Sequence, residues 1–314
     1  MADNSSLVGG ESLRRQINLE VLIVQILVMI FLSINLMLIT TFFKKECFYK
    51  TTRYILFAVT LLSDSFLLFM SNIMLLLSYF RLTMPVWLCI IISVVVILYF
   101  TVTPVTLTAM TLERYVAICM PLRHGELCSQ SSTVNCILII HGLSSVPCIV
   151  VLSIFFASAS HSFYTQYRVC SVEIFIVYRW QDHIRAGVYQ LYFMLMCITI
   201  VFCYVKIMKV AKAASGENKN STWKGLKTVI LHAFQLLLCL IQMWCPFIES
   251  AVLHISLKLF IDVRYVNYLT LSLSPKCLSP LIYGFRDETF FNALKSYVCF
   301  GLCKRNIEKY RCSI

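Results

Sequence analysis

Met-Thr-Leu-Glu-Arg-Tyr-Val-Ala-Ile-Cys-Met-Pro-Leu-Arg-His, residues 110–124, sets an acid (Glu113), an arginine (Arg114) and an aromatic (Tyr115) directly after a run that carries no charge from Leu82 to Leu112. That run exceeds the ~20 apolar residues a helix needs to cross a bilayer. The triplet is therefore expected where a long, tilted helix meets water. Working outward, segments of similar character recur: Val21–Phe43, Tyr54–Phe80, Leu82–Leu112, a stretch within Leu127–Tyr167, Ala186–Val205, Thr228–Leu257 and Tyr265–Phe285. Seven crossings put the two termini on opposite sides of the membrane.

Of the 314 residues, 59% are hydrophobic and 13% charged, against about a quarter charged in soluble domains. The fold class expected is an all-α membrane protein, a seven-transmembrane helix bundle with a short amphipathic C-terminal helix. Residues 1–20 form the extracellular N-terminus in this reading, 21–285 the bundle, and 286–314 the amphipathic helix and cytoplasmic tail. Lys and Arg in short connections decide orientation during insertion. With the N-terminus outside, the inner connections collect Lys44, Lys45, Lys50 and Arg53, then Lys206, Lys209 and Lys212, then Lys219, Lys224 and Lys227, and finally Arg286, Lys295, Lys304 and Arg305. The outer side holds fewer. The formal net charge of +12 is thus a topology signal and an attraction to anionic inner-leaflet lipid, and nucleic acid is excluded as a partner because the charge lies in thin membrane-flanking clusters. The first 20 residues lack the apolar core of a cleaved leader, so the first span reads as an uncleaved anchor. Asn4-Ser5-Ser6 is an outer-side acceptor sequence for N-glycosylation.

Residues 110–124 resemble the Met-Ala-(Tyr/Leu)-(Asp/Glu)-Arg-Tyr-Val-Ala-Ile-Cys-x-Pro-Leu signature of the odorant-receptor branch of rhodopsin-like G-protein-coupled receptors, most closely the fish type. Lys224, Leu226, Thr228 and His232 match a further odorant-receptor run on the inner side of the sixth span. The resemblance implies a plasma-membrane receptor, located in olfactory neuron cilia, that binds a small-molecule odorant and activates a heterotrimeric G protein of the stimulatory, olfactory type to raise cyclic AMP. It implies no cofactor and no metal. It matches Cys89 and Cys170 to the disulfide shared across such receptors, which would pin the outer loop over the bundle mouth. It assigns an activation switch to Glu113, Arg114 and Tyr115, to the hinge residues Trp244 and Pro246, and to Pro280, Tyr283 and Tyr204. The loop carries no further cysteines, and Trp244 stands where many mammalian odorant receptors have tyrosine.

Polar groups in hydrocarbon are costly and face the bundle interior. Asp64 sits mid-span, and the resemblance matches it to a carboxylate that binds sodium. Lys276, four residues before Pro280, lies at roughly the same depth, so the two are expected to form a buried pair in which the ammonium replaces sodium. The ligand pocket, counted back from Arg114 and out from the two prolines, comprises Val96, Ile97, Phe100, Thr101, Tyr189, Tyr192, Phe247, Ile248, Ala251, Tyr265, Leu269 and Ser272. Val96 occupies the place where amine receptors carry aspartate, leaving Glu249 as the alternative acid. A receptor of the same fold for a peptide or lipid is the competing reading. An opsin is disfavoured because Leu273 stands at the retinal-lysine place, and a transporter because no half is repeated. No phosphate loop, metal-ligand cluster or nucleophile setting supports an enzyme.

The orientation has a direct test. An epitope tag at the N-terminus should be stained on intact cells and one at the C-terminus only after permeabilisation; equal staining of both on intact cells would defeat the seven-span count.

Overall fold

A computed structural model describes residues 2–44, 46–214, 233–235, 237–253, 255–276, 290 and 294. Helix α1 runs from Ala2 to Phe43, α2 from Thr52 to Tyr79, α3 from Val86 to Cys119, α5 from Gln130 to Ser158 and α6 from Arg179 to Ala214. Each contains a stretch long and apolar enough to span a bilayer. A short α4 (Pro121–Leu127) links α3 to α5, on the side that the expected orientation, used below for 'inner' and 'outer', makes cytoplasmic. The sixth crossing is described as α7 (Ala233–Gln242) and α8 (Cys245–Leu253). The seventh is described as α9 (Leu257–Asn267), a π-helical turn over Tyr268–Leu273 and the helical residues 274–276.

The helix ends differ from those read off hydropathy. Helix α1 begins at Ala2, well outside the apolar stretch, and α3 continues past Glu113 to Cys119. Hydropathy marks where lipid ends, whereas the backbone ladder stops only where a partner carbonyl is lost. At the other end of α3 the expected span shortens, because Thr83–Pro85 forms strand β1 and α3 starts after Pro85. Proline there fixes an extended-to-helical transition and needs no N–H in the first turn. Strand β1 pairs antiparallel with β2 (Tyr167–Val169), with Thr83 opposite Val169 and Pro85 opposite Tyr167.

Apolar side chains cover both the core and the lipid faces. On α6, Leu191, Leu195, Ile198, Val201, Phe202 and Val205 are all exposed at spacings of one helical turn, a stripe that bilayer hydrocarbon satisfies. Trp87 and Trp180, in the first turns of α3 and α6, and Tyr178, just before α6, are exposed, as suits aromatic side chains between headgroups and acyl chains. Threonines inside α3 cost little, because Thr106, Thr108 and Thr111 donate to carbonyls four residues back. Pro104 and Pro147 lie within α3 and α5; the Leu143 carbonyl that Pro147 cannot bond accepts from the Tyr192 hydroxyl of α6.

At the inner end an aromatic cluster joins the first connection to the segment after the seventh span. The ring of Phe290 lies 5.2 Å from Phe48 and 5.6 Å from Phe57, and Phe290 and Leu294, one turn apart, are both buried. At the outer end Cys89 is bonded to Cys170, with 5.4 Å between their Cα atoms. Together with the β1–β2 pairing, this bond holds the outer loop against the start of α3. Cys170→Ser should lower the stability of the purified receptor by ~2–4 kcal/mol, read as a fall in thermal midpoint. Recovery of Cys89 and Cys170 in separate peptides without reduction would contradict the bond.

Candidate functional site

Asp64 on α2 is almost wholly buried, and one carboxylate oxygen accepts a 2.8 Å hydrogen bond from the Thr103 hydroxyl on α3. Its second oxygen has no hydrogen-bond partner, and both side-chain polar atoms of the neighbouring-span residue Asn35, also buried, are likewise unpartnered. Lys276 is buried and donates from Nζ to the Ser272 carbonyl at 2.8 Å. Asp64 and Lys276 are thus both buried, and each makes its direct bond to a different neighbour. Ser272 receives a 3.0 Å hydrogen bond from Gln242 of α7, and Gln235 donates to the Pro275 carbonyl. These bonds make up a polar centre in which α2 is tied to α3 and the sixth crossing to the seventh. The π-helical turn at Tyr268–Leu273 lies immediately before Lys276, and such turns recur at functional sites because they disturb the helical ladder.

The sixth crossing is broken where expected. Met243 and Trp244 form a turn in which Met243 N–H bonds Leu240 O and Trp244 N–H bonds Ile241 O. Pro246, in the first turn of α8, has no N–H to offer the Gln242 carbonyl, so a kink follows. The Trp244 ring is 5.9 Å from Phe193 on α6 and 6.4 Å from Phe247. This places the hinge tryptophan against the fifth crossing.

At the inner end of α3, Glu113 faces His124 of α4, with 3.6 Å between carboxylate and imidazole. The sequence reading gave Glu113 only Arg114 as its partner; α4 folds back beneath α3 and supplies a second one. Arg114 is half-buried, and Tyr115 lies 5.8 Å from Phe202 on α6. Tyr204 is half-buried on α6. Pro280 and Tyr283 lie outside the described residues. Asn4 lies in α1, with its side chain outside the description.

The expected pocket residues separate into groups. Phe100 and Tyr189 meet edge to face at 5.9 Å between α3 and α6. Val96 and buried Ile97 pack with the outer cluster around Cys89 and Phe155. Tyr265 and Leu269 pack on Val24, Val28 and Leu68 of the first two spans. Thr101 donates to the Ser144 carbonyl and Tyr192 to the Leu143 carbonyl. Their hydroxyls thus tie α3 and α6 to α5, because a hydroxyl in hydrocarbon takes the nearest acceptor. Phe247 is half-buried, while Ile248 and Ala251 are exposed. Glu249 accepts from Asn267 at 3.3 Å and lies 3.9 Å from Arg264, so it joins the sixth crossing to the seventh. Sequence reasoning missed the reciprocal amide pair of Gln25 and Asn72, at 2.6 and 3.0 Å, which clamps α1 to α2. Isolated amides in apolar runs were its only signal.

Residues 34–283 match the profile of the 7 transmembrane receptor (rhodopsin family). The chain is 43% identical over 305 residues to Odorant receptor 131-2 of Danio rerio, covering 96% of this chain and 93% of the relative. It is 23% identical to Chemokine XC receptor 1 of Mus musculus over 66% of this chain and 61% of that one. It is 24% identical to Somatostatin receptor type 4 of Rattus norvegicus over 63% of this chain and 51% of that one. The chain belongs to the rhodopsin family of seven-transmembrane receptors, in its odorant-receptor branch. It is a multi-pass membrane receptor and not an enzyme.

The polar centre yields a coupling test. Lys276→Met should destabilise the purified receptor by about 2 kcal/mol or more, because it leaves a buried carboxylate uncompensated. Asp64→Asn together with Lys276→Met should recover most of that loss. Thermal midpoints of the two single variants and the double variant check this, and strictly additive losses would show that the charges do not interact.

Proposed function

We propose that the protein is a chemosensory receptor that binds a small odorant molecule in the outer half of the bundle and activates a heterotrimeric G protein of the stimulatory, olfactory type, raising cyclic AMP. The observation that carries this reading is the 43% identity, over nearly the whole chain, to a zebrafish odorant receptor. In this reading residues 1–20 lie outside the cell, residues 21–285 form the bundle and residues 286–314 lie in the cytoplasm. The receptor works in the plasma membrane of sensory cilia.

The mechanism uses the geometry described above. Ligand enters beside the Phe100–Tyr189 pair, and the remaining pocket residues of the seventh crossing, Tyr265, Leu269 and Ser272, complete the outer wall. Ser272 bonds Gln242, so a ligand pressing on the seventh crossing also acts on the sixth, just before its break. The Pro246 kink, where the helix lacks one N–H bond, gives the inner half of the sixth crossing freedom to swing. Glu113 and Arg114 at the inner end of α3 hold the resting arrangement, and the release of Arg114 opens the surface for the G protein. Ligand need only favour the open arrangement, and a preference of a few kcal/mol shifts the populations strongly. The pocket's walls are apolar apart from a few hydroxyls, which suits a small uncharged molecule.

The test is a panel of amino acids, amines, steroids and volatile organics applied to cells that express the receptor, an olfactory-type Gα subunit and a cyclic AMP reporter. At least one compound should raise cyclic AMP. Arg114→Ala at equal surface expression should reduce the response about tenfold or more, the effect of ~1.4 kcal/mol on a two-state equilibrium. A response carried wholly by a different Gα class would overturn the coupling assignment.

A further inference from the structure

Where α3 ends at Cys119 the chain turns at Met120, and Pro121 opens α4, a position at which a missing N–H costs nothing. The far end of α4 is tied down. The Cys128 carbonyl accepts from the Thr52 hydroxyl of α2 at 2.8 Å, and Thr52 meets the Thr133 hydroxyl of α5 at 2.7 Å. With both ends of α4 held, the His124 ring is set against the inner end of α3. Its Nε2 lies 3.6 Å from Glu113 Oε1, is shut off from solvent and makes no hydrogen bond. The Glu113 side chain is 11% exposed and that of His124 39%, so the contact is sheltered while the rest of the imidazole stays open to the cytosol. Among the described residues, His124 is the group that Glu113 meets in an ionic contact.

At this separation a neutral imidazole makes no hydrogen bond to the carboxylate. A protonated one donates from both nitrogens and carries a charge, and a charge-assisted bond is roughly twice as strong as a neutral one. Histidine is also the side chain whose ordinary titration, at ~6.5, falls nearest to cytosolic pH. The surroundings hold few other charges. On α4, Arg123 and Glu126 are exposed, and on α3 Arg114 follows Glu113 directly. At the start of α2, the Arg53 guanidinium lies over the Tyr54 ring at 5.5 Å. Where α4 meets α5, burial first and the Glu113 carboxylate next push the Cys128 thiol above its ordinary range, so it stays uncharged. The start of α5 brings the Thr133 hydroxyl.

We propose that His124 is a positioning residue of the activation switch: once protonated it takes Glu113 as its counter-ion and eases the release of Arg114, so that signalling rises as cytosolic pH falls. Resting on the proposed lock between Glu113 and Arg114, the sign follows from linkage. In the resting arrangement one carboxylate serves two cations, which repel each other. After Arg114 leaves, the imidazolium has the carboxylate to itself and is held more tightly. A proton that prefers the released arrangement shifts the receptor towards it.

The test uses full-length receptor in nanodiscs with an olfactory-type heterotrimeric G protein, and reads basal nucleotide exchange from about pH 8 to about pH 6, a range that brackets the ordinary histidine pKa. Rates are taken relative to the G protein alone at each pH. Wild type should rise about fivefold towards the acid end, the lower end of ordinary couplings between two sites. His124→Gln keeps a donor but takes no charge, so its profile should stay flat at the alkaline wild-type level. His124→Arg is charged throughout and should stay flat at the acid level. Parallel profiles for wild type and His124→Gln would reduce His124 to a structural contact and overturn the proposal. A second measurement needs no signalling: thermal midpoints of His124→Gln, Glu113→Gln and the double variant. Their losses should be non-additive near pH 6 and additive near pH 8, and additive losses at both would equally overturn it. A receptor that shows this coupling yet speeds exchange at no pH would count against the proposed G-protein activation and not against the His124–Glu113 pair.

Discussion

A buried carboxylate and a buried ammonium within one apolar bundle constrain everything around them. Hydrocarbon offers no water to either group, so each must be met by the protein. Asp64 takes the Thr103 hydroxyl and Lys276 takes the Ser272 carbonyl. The unpartnered atoms of Asp64 and Asn35 leave bonding capacity for a rearranged centre.

The ends of the bundle are held differently. The disulfide and the short β1–β2 pairing fasten the outer loop to α3, and aromatic packing around Phe290 fastens the inner ends of the first two spans. Between these fixed ends, threonine back-bonds satisfy hydroxyls of α3, and the Gln25–Asn72 clamp satisfies amides of α1 and α2. The sixth crossing is interrupted at Met243–Trp244 and the seventh carries a π turn. The described interruptions thus fall in the sixth and seventh crossings. The Gln242–Ser272 bond joins the two interrupted crossings to each other.

Several features were legible because they depend on composition or on a single residue's chemistry. Long charge-free runs announced five full spans that the structure describes, and proline beside Trp244 announced the break. The partners of particular side chains were not legible. Thr101 and Tyr192 looked like pocket hydroxyls but bond carbonyls of α5, because a counting scheme along one helix does not know which neighbour lies opposite. Glu113 looked committed to Arg114, yet α4 brings His124 beside it. Gln181 drew no notice, since its role depends on the loop that brings the Val177 and Tyr178 N–H groups to its carbonyl oxygen.

What the sequence determined by itself was the solvent of each segment: which stretches lie in lipid, which connections carry the positive charge, and where a missing N–H must break a helix. Those are properties of residues taken singly or in short runs. Only the tertiary structure decided which buried polar atom meets which, and so which residues form the polar centre and the clamp. The physical reason is range: transfer into hydrocarbon is summed along the chain, whereas a hydrogen bond requires two groups within about 3 Å, often from spans far apart in the sequence.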